Sequence, residues 1–293
     1  MVQKGGQTIQ LKAGEFVIPN VETEKGLPLR KPFPGFWQGL ALGLMPNLTA
    51  LLIVIPIVLV AFVGFKRNLD LSTWLPVFQF LAFLPAIFIG KAWGQKSWKD
   101  ILPFKLIDWW FWPPFLLALA VVSLAVVGAD AWVNHVFPEP AWLHRAVMGM
   151  GAITIVLIAP ITEEPLCRGL ILGGLLGRYS KGKAILFSAL IFAIMHLNPW
   201  QFLPPLIIGL FFGWLVAETG SLWPPLVGHL LFNGLSVLAE RWKIPYVSGQ
   251  VLLPLWLWGI VFAFGGLAWL WLRHALVGRE KHLDPDMAAT SRL

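Results

Sequence analysis

A succession of long apolar runs is the feature that most constrains the fold of this chain. Eight such runs occur, and they are long enough, or nearly so, to cross the roughly 30 Å hydrocarbon core of a bilayer as helices. They span residues 40–63, 75–89, 111–132, 146–176, 184–197, 202–216, 222–238 and 252–272. Turn signals at residues 180–182 and 219–221 separate the shorter runs. We therefore expect an all-α, polytopic membrane helix bundle with about eight transmembrane helices.

Composition agrees with this setting. Hydrophobic residues make up 57% of the 293 positions, charged residues only 13%, and the chain contains 17 Trp, which no ordinary soluble domain does. We expect a polar N-terminal segment over residues 1–35, a transmembrane bundle over 36–277 and a cytoplasmic tail over 278–293. Cys167 is the single cysteine, so a disulfide framework is excluded.

Lysine and arginine residues are unevenly distributed between the two predicted faces. With the N-terminus inside, 16 of the 22 basic residues fall in cytoplasmic segments. The opposite face receives Lys66, Arg67, Arg145, Arg241 and Lys243. Because basic loops stay in the cytoplasm, both termini are predicted to be cytoplasmic. The net charge of +7 is spread over loops, which argues against nucleic-acid binding and favours anionic lipid headgroups as partners.

Five polar side chains within apolar runs are the main indication of function. Glu163 and Glu164 are adjacent in the run 146–176, and His196, His229 and Asn233 follow in later runs. Placing a charge in the membrane interior costs about 2.5 to 3.5 kcal/mol even on a lenient scale. A functional role would justify this cost. The polar side chains that would have that role lie within residues 146–238.

Helical spacing separates the roles of these side chains. Glu164 and Arg168 are four residues apart with the acid first, which is the favourable order for an ion pair. Glu163 points about 100° away from Glu164 and is the freer carboxylate, so it is suited to act as a general base. His229 and Asn233 are also four residues apart, so they leave the same face of their helix and can converge on one ligand atom.

Two prolines flank the acidic pair and indicate a pocket. Pro160 and Pro165 leave backbone carbonyl groups without their helical donors, which a membrane tolerates only inside protein or beside a wet cavity. Counted along the helices, the polar side chains reach similar depths, so three antiparallel helices are predicted to meet within the membrane. The same depths favour access to the site from the cytoplasm.

Three short motifs occur in order along the chain: Glu163 to Arg168 fits E-E-x-x-x-R, Phe192 to His196 fits F-x-x-x-H, and His229 to Asn233 fits H-x-x-x-N. In this order and spacing they resemble the CPBP family of CAAX prenyl endopeptidases and bacteriocin-processing or immunity proteins, also called Abi proteins. Cys167 replaces a commoner aromatic residue, and Pro165 follows the acid pair directly, but neither change removes a functional group.

The resemblance implies an intramembrane endopeptidase that acts on a membrane-associated or prenylated (CAAX-type) protein or peptide. Glu163 and His196 would activate water, His229 and Asn233 would stabilise the oxyanion, and Glu164 and Arg168 would brace the site. Proteins of the family have been classed as metalloproteases, and Glu163, His196 and His229 could form a zinc set. The chain has no H-E-x-x-H motif, and a direct Glu/His mechanism uses the same residues, so we do not expect Zn²⁺ to be obligatory.

Two other classes of protein remain open from the sequence. A transporter or channel could use the carboxylates and histidines as an ion or proton relay, although no second half of the chain mirrors the acidic run. A non-catalytic membrane scaffold or immunity protein could use them only for packing between helices. Folded but inactive protein after substitution of Glu163 is the result that distinguishes catalysis from a scaffold. The sequence gives no indication of the oligomeric state.

Overall fold

The structure is a computed structural model that describes the backbone of residues 2–4, 7–9, 32–64, 74–244, 252 and 254–283. Most of the predicted N-terminal segment and residues 284–293 of the predicted tail lie outside the described residues. The chain divides into two compact units, Met1–Lys31 and Pro32–Leu293. In the first unit, strands β1 (Val2–Lys4) and β2 (Gln7–Ile9) pair antiparallel, which the sequence did not lead us to expect.

In the second unit, the regular secondary structure of the described residues is entirely helical. Its helices are α1 (Phe36–Leu59), α2 (Leu75–Gly94), α3 (Trp98–Ile101), α4 (Trp112–Val136), α5 (Ala141–Met148), α6 (Ala159–Glu164), α7 (Leu172–Leu176), α8 (Lys181–Ile194), α9 (Leu203–Thr219), α10 (Trp223–Arg241) and α11 (Leu255–Leu283). Turns of π-helix extend α1 over Val60–Gly64 and flank α6 over Thr154–Ile158 and Pro165–Ile171. A 3₁₀ turn, Trp109–Phe111, precedes α4. We call residues 154–176 the acidic helix.

Each of the eight apolar runs corresponds to a helical segment, and the prediction of an all-α membrane bundle is confirmed for this unit. Within the described residues, four helical segments are long and apolar enough to span a membrane, namely Phe36–Val63, Leu75–Gly94, Trp109–Val136 and Trp256–Leu276. The other four helical segments are not both long and apolar enough by the same criterion, and they include the helices that carry the motifs. α11 continues to Leu283, so the helix extends past the predicted boundary at residue 277.

Two glycines allow the acidic helix to pack against neighbouring backbone. A Cβ atom at Gly169 would overlap the carbonyl oxygen of Ile101 at the end of α3, and one at Gly174 would overlap Pro34. Only glycine permits such close approach of two backbones. These contacts hold the acidic helix at one position along the bundle axis relative to α3. They therefore set the depth of Glu163 and Glu164 in the bundle.

Candidate active site

The two glutamates lie on the short α6 between two π-helical turns and face different surroundings. Glu163 is 7% exposed and lines a large cavity, whereas Glu164 is fully buried and lines a separate, smaller apolar pocket of about 300 Å³. A step of one residue along a helix turns the side chain by about 100°, which explains the separation. The two carboxylates therefore have different surroundings, as the spacing predicted.

Glu164 is the centre of a buried polar cluster. Arg168 Nη1 donates to Glu164 Oε1 at 3.3 Å, which is the ion pair that the spacing predicted. Nδ1 of His229 bonds to the same oxygen at 2.7 Å, a contact between distant parts of the chain that the sequence did not indicate. The Arg168 guanidinium also lies 4.1 Å from the centre of the Phe192 ring, within range of a cation–π interaction. Glu164 therefore holds both the arginine and the histidine.

His229 lies between the two carboxylates. An ionised carboxylate can only accept hydrogen bonds, so Nδ1 of His229 donates to Glu164, and Nε2 faces the other way. Nε2 lies 3.9 Å from Oε2 of Glu163. Beside the ring, Gly228 leaves room for the rings of Phe212 and Phe115, which a Cβ atom there would contact. The ring is therefore fixed in orientation, with one nitrogen directed towards the cavity-lining carboxylate.

His196 lies in the turn that follows α8, because the helix ends at Ile194 rather than continuing to the predicted end of the run at residue 197. Its Nδ1 donates to the carbonyl oxygen of Phe192 at 2.8 Å. A carbonyl oxygen only accepts, so this bond places the proton of the neutral imidazole on Nδ1 and leaves Nε2 with a free lone pair. The side chain lines the large cavity, so that lone pair is available for proton transfer.

Asn233 is held by the π-helical turn at the start of the acidic helix. Its Nδ2 donates to the carbonyl oxygen of Ile155 at 2.7 Å. This bond uses one of the two amide hydrogens and leaves the second for another acceptor. Asn233 lines the same cavity as His229, which confirms that the two side chains share a face of α10.

The cavity has a volume of about 1460 Å³ and is lined by Glu163, His196, His229 and Asn233 together. Its lining continues to Asn134 and His135 at the end of α4 and to Glu240 at the end of α10. The exposed residues Ala141, Arg145 and Met148 also line it, so the cavity reaches the surface at this end of the bundle. With the topology given by the basic residues, this end is the non-cytoplasmic one. The expectation of cytoplasmic access is therefore wrong for that topology.

A second polar cluster closes part of the cavity mouth. Nδ1 of His144 on α5 lies 3.0 Å from Oε2 of Glu139, and Nε2 lies 3.4 Å from Oε1 of Glu240 on α10. Both contacts are hydrogen bonds only when both ring nitrogens carry protons. Burial opposes that charge, but the two hydrogen bonds and carboxylate charges outweigh it and raise the pKa of His144. No motif in the sequence singles out His144, although Glu240 follows Asn233 by seven residues on one helix face.

The raised pKa of His144 predicts a pH-dependent contribution to stability. Because the folded pKa lies above the unfolded value of about 6.5, the contribution is complete below that value and is lost as the pH rises through the folded pKa. We expect His144→Ala to lower the melting temperature at about pH 5.5 but much less at about pH 8.5. His135→Ala, at an exposed cavity histidine, is the matched control. An equal effect of His144→Ala at both pH values would contradict the bridge.

The described residues contain no group of three or more His, Cys, Asp and Glu side chains arranged to hold a metal ion. The alternative zinc set of Glu163, His196 and His229 is therefore not gathered as a metal site, although all three line one cavity. That Zn²⁺ is not obligatory stays a prediction, which the metal content and activity of the purified protein would test.

The fold and this cavity together define an integral membrane protein with a buried cluster of acid, histidine and amide groups. Residues 144–235 match the model of the family described as "Type II CAAX prenyl endopeptidase Rce1-like". This match confirms the resemblance inferred from the three motifs, for the segment that holds Glu163, His196, His229 and Asn233. The chain is also similar to a protein of Bacillus subtilis (strain 168) named "Putative membrane peptidase YdiL".

The similarity to that protein amounts to 32% identity over 84 residues. The aligned stretch is 29% of this chain and 34% of the relative, so the chain spans about a third of the length of the curated relative it matches. No solved structure matches the chain significantly. The names of the family and of the relative both refer to peptide-bond hydrolysis.

Proposed function

We propose that the protein is an intramembrane endopeptidase that hydrolyses a peptide bond of a membrane-associated or prenylated protein or peptide. The observation that carries the proposal is that Glu163, His196, His229 and Asn233, from three separate segments, line one cavity. Peptide hydrolysis needs a base to activate water and donors for the oxyanion, and this set contains both. The match of residues 144–235 to a family of endopeptidases supports the same chemistry.

Water activation falls to Glu163 and His196. Glu163 supplies a carboxylate at the cavity wall, and His196 supplies an Nε2 lone pair because its Nδ1 proton is engaged by Phe192. Either group can accept a proton from a water molecule held in the cavity. The other then orients that water towards the substrate carbonyl carbon.

Oxyanion stabilisation falls to Asn233 and His229. The free N–H of the Asn233 amide is a neutral donor on the cavity wall. The imidazolium form of His229 has N–H groups at both nitrogens, so it can donate to Glu164 and to the oxyanion at the same time. Arg168 and Glu164 act through His229 and are positioning residues.

The experiment that tests this function is cleavage by the purified protein in detergent. The panel contains a prenylated CAAX peptide, the same peptide without its prenyl group, and peptides derived from membrane tails. Cleavage of the prenylated peptide alone would support a CAAX-type substrate, and cleavage of tail peptides would support a broader membrane-protein substrate. Absence of cleavage by folded wild-type protein across the panel would contradict the proposal and favour a relay or scaffold function.

We also infer that both termini are cytoplasmic, so that the cavity opens on the opposite face. In a Cys167→Ala background, Ala141→Cys places a thiol at the exposed cavity mouth, and Gly182→Cys places one in open space in the first turn of α8. We expect a membrane-impermeant maleimide to label only position 141 in intact cells. Labelling of position 182 alone would show the inverted orientation and move the cavity mouth to the cytoplasm.

A further inference from the structure

The hydrogen bond that holds Asn233 depends on an irregularity in the acidic helix. In the turn Thr154–Ile158, the N–H of Ala159 donates to the carbonyl oxygen of Thr154, five residues earlier, as in a π-helix. In this register, the next bond would join the N–H of residue 160 to the carbonyl oxygen of Ile155. Residue 160 is proline and has no N–H. The carbonyl oxygen of Ile155 is thus left without that helical donor.

The side chain of Asn233 supplies the missing donor. Its Nδ2 lies 2.7 Å from the carbonyl oxygen of Ile155, across 78 residues of sequence. A neighbouring carbonyl in the same turn shows the contrast. The carbonyl oxygen of Ile158 accepts from Oγ1 of Thr162 at 2.8 Å, which is a local bond within the helix. Only at Ile155 is the acceptor filled by a side chain from α10.

We propose that Pro160 is a positioning residue that holds the Asn233 amide in place by keeping the Ile155 carbonyl oxygen free to accept it. The proposal rests on the proposed function and deepens it, because it explains how the oxyanion donor is oriented. An asparagine amide can rotate about its side-chain bonds, and a donor in a preorganised site must be fixed before the charge develops. One amide hydrogen is fixed by Ile155, and the other is left to face the cavity.

The test restores the missing N–H with Pro160→Ala. We expect the regained N–H to compete for the Ile155 carbonyl oxygen, so the side-chain amide resonance of Asn233 should shift in a sample with ¹⁵N-labelled asparagine. The variant Asn233→Ala assigns that resonance. With a peptide that the wild type cleaves, we expect kcat to fall by up to about 10²-fold, which is what a displaced catalytic group can cost, with little change in KM.

Two controls separate positioning from a general effect of losing a proline. Pro56→Ala removes an exposed proline from the interior of α1 and should change neither the resonance nor kcat. In an Asn233→Ala background, Pro160→Ala should cause no further loss of kcat, since the amide it positions is absent.

An unchanged Asn233 resonance in Pro160→Ala would overturn the proposal, as would a fall in kcat of equal size with and without Asn233. If no protein cleaves any peptide, the proposed function fails. The amide resonance still decides whether Pro160 holds Asn233, so the two failures are distinguishable.

Discussion

Replacing Glu163 with glutamine is expected to lower the cleavage rate by about 10² to 10⁴-fold, the usual contribution of a general base. Glutamine keeps the size and most of the shape of the side chain but cannot accept a proton at neutral pH. Oε2 of Glu163 lies 3.9 Å from Nε2 of His229, whereas the short hydrogen bond of His229 is made to Glu164. The fold should therefore survive the substitution. Initial rates on a cleaved peptide, together with melting temperatures, measure both expectations.

Glu218→Gln is the matched control for this substitution. Glu218 forms a surface ion pair with Lys181 at 2.7 Å, on the helices α9 and α8 and outside the cavity lining. The same change of carboxylate to amide there should leave the cleavage rate unaltered. A folded Glu163→Gln protein that kept wild-type activity would remove Glu163 from the chemistry and leave His196 as the base.

Replacing Arg168 with methionine is expected to reduce the free energy of unfolding by about 3 to 5 kcal/mol, the typical cost of removing one partner from a buried ion pair. Arg168 is 1% exposed, and its loss leaves the fully buried Glu164 without its guanidinium partner. Its contact with the Phe192 ring is lost as well. Unfolding by denaturant in mixed micelles measures the difference from wild type.

Two further variants decide whether the effect comes from the uncompensated charge. The double variant Glu164→Gln with Arg168→Met should recover part of the lost stability, since it removes the carboxylate that Arg168 neutralises. Lys181→Met breaks the exposed pair with Glu218 and should cost no more than about 1 kcal/mol. If Arg168→Met lowered the free energy of unfolding as little as Lys181→Met does, the buried ion pair would not contribute to stability.

Local spacing predicted some contacts of the site correctly. The pair Glu164 and Arg168 follows from their four-residue spacing, which keeps the two side chains adjacent even where the helix becomes π-helical at Pro165–Ile171. The shared face of His229 and Asn233 follows from the same repeat. These predictions succeed because residues four apart on one helix are neighbours in almost any packing.

Contacts between distant segments could not be predicted from the same repeats. The bond from His229 to Glu164 depends on how α10 packs against the acidic helix, and the bond from Asn233 to Ile155 depends on a π-helical turn. Pro160 indicates a free carbonyl group but not which side chain fills it. His144 was missed because its two carboxylate partners, Glu139 and Glu240, come from different parts of the sequence.

For the topology given by the basic residues, the cavity opens at the end opposite to the one that helix depth favoured, and the difference has a physical reason. The depth of a side chain along its helix gives its distance from each end of the bundle. It does not show at which end the packing of other side chains closes the cavity. Beside Gly228, the rings of Phe212 and Phe115 pack close to the backbone of α10, on the side of His229 away from the cavity mouth. Both rings are fully buried. The cavity therefore extends from His229 towards the opposite end of α10.

The close contact between Gly169 and the carbonyl oxygen of Ile101 limits how far the acidic helix can move relative to α3. Since backbone meets backbone there, the acidic helix cannot slide along its own axis towards α3, and the carboxylate of Glu163 stays at a constant level. Other membrane helices can adjust to bilayer thickness by shifting or tilting. In the endopeptidase proposed above, the Glu163 carboxylate would not follow such adjustments. The substrate would then have to place its peptide bond at that level, so the distance of the bond from the bilayer surface would decide whether it is cleaved.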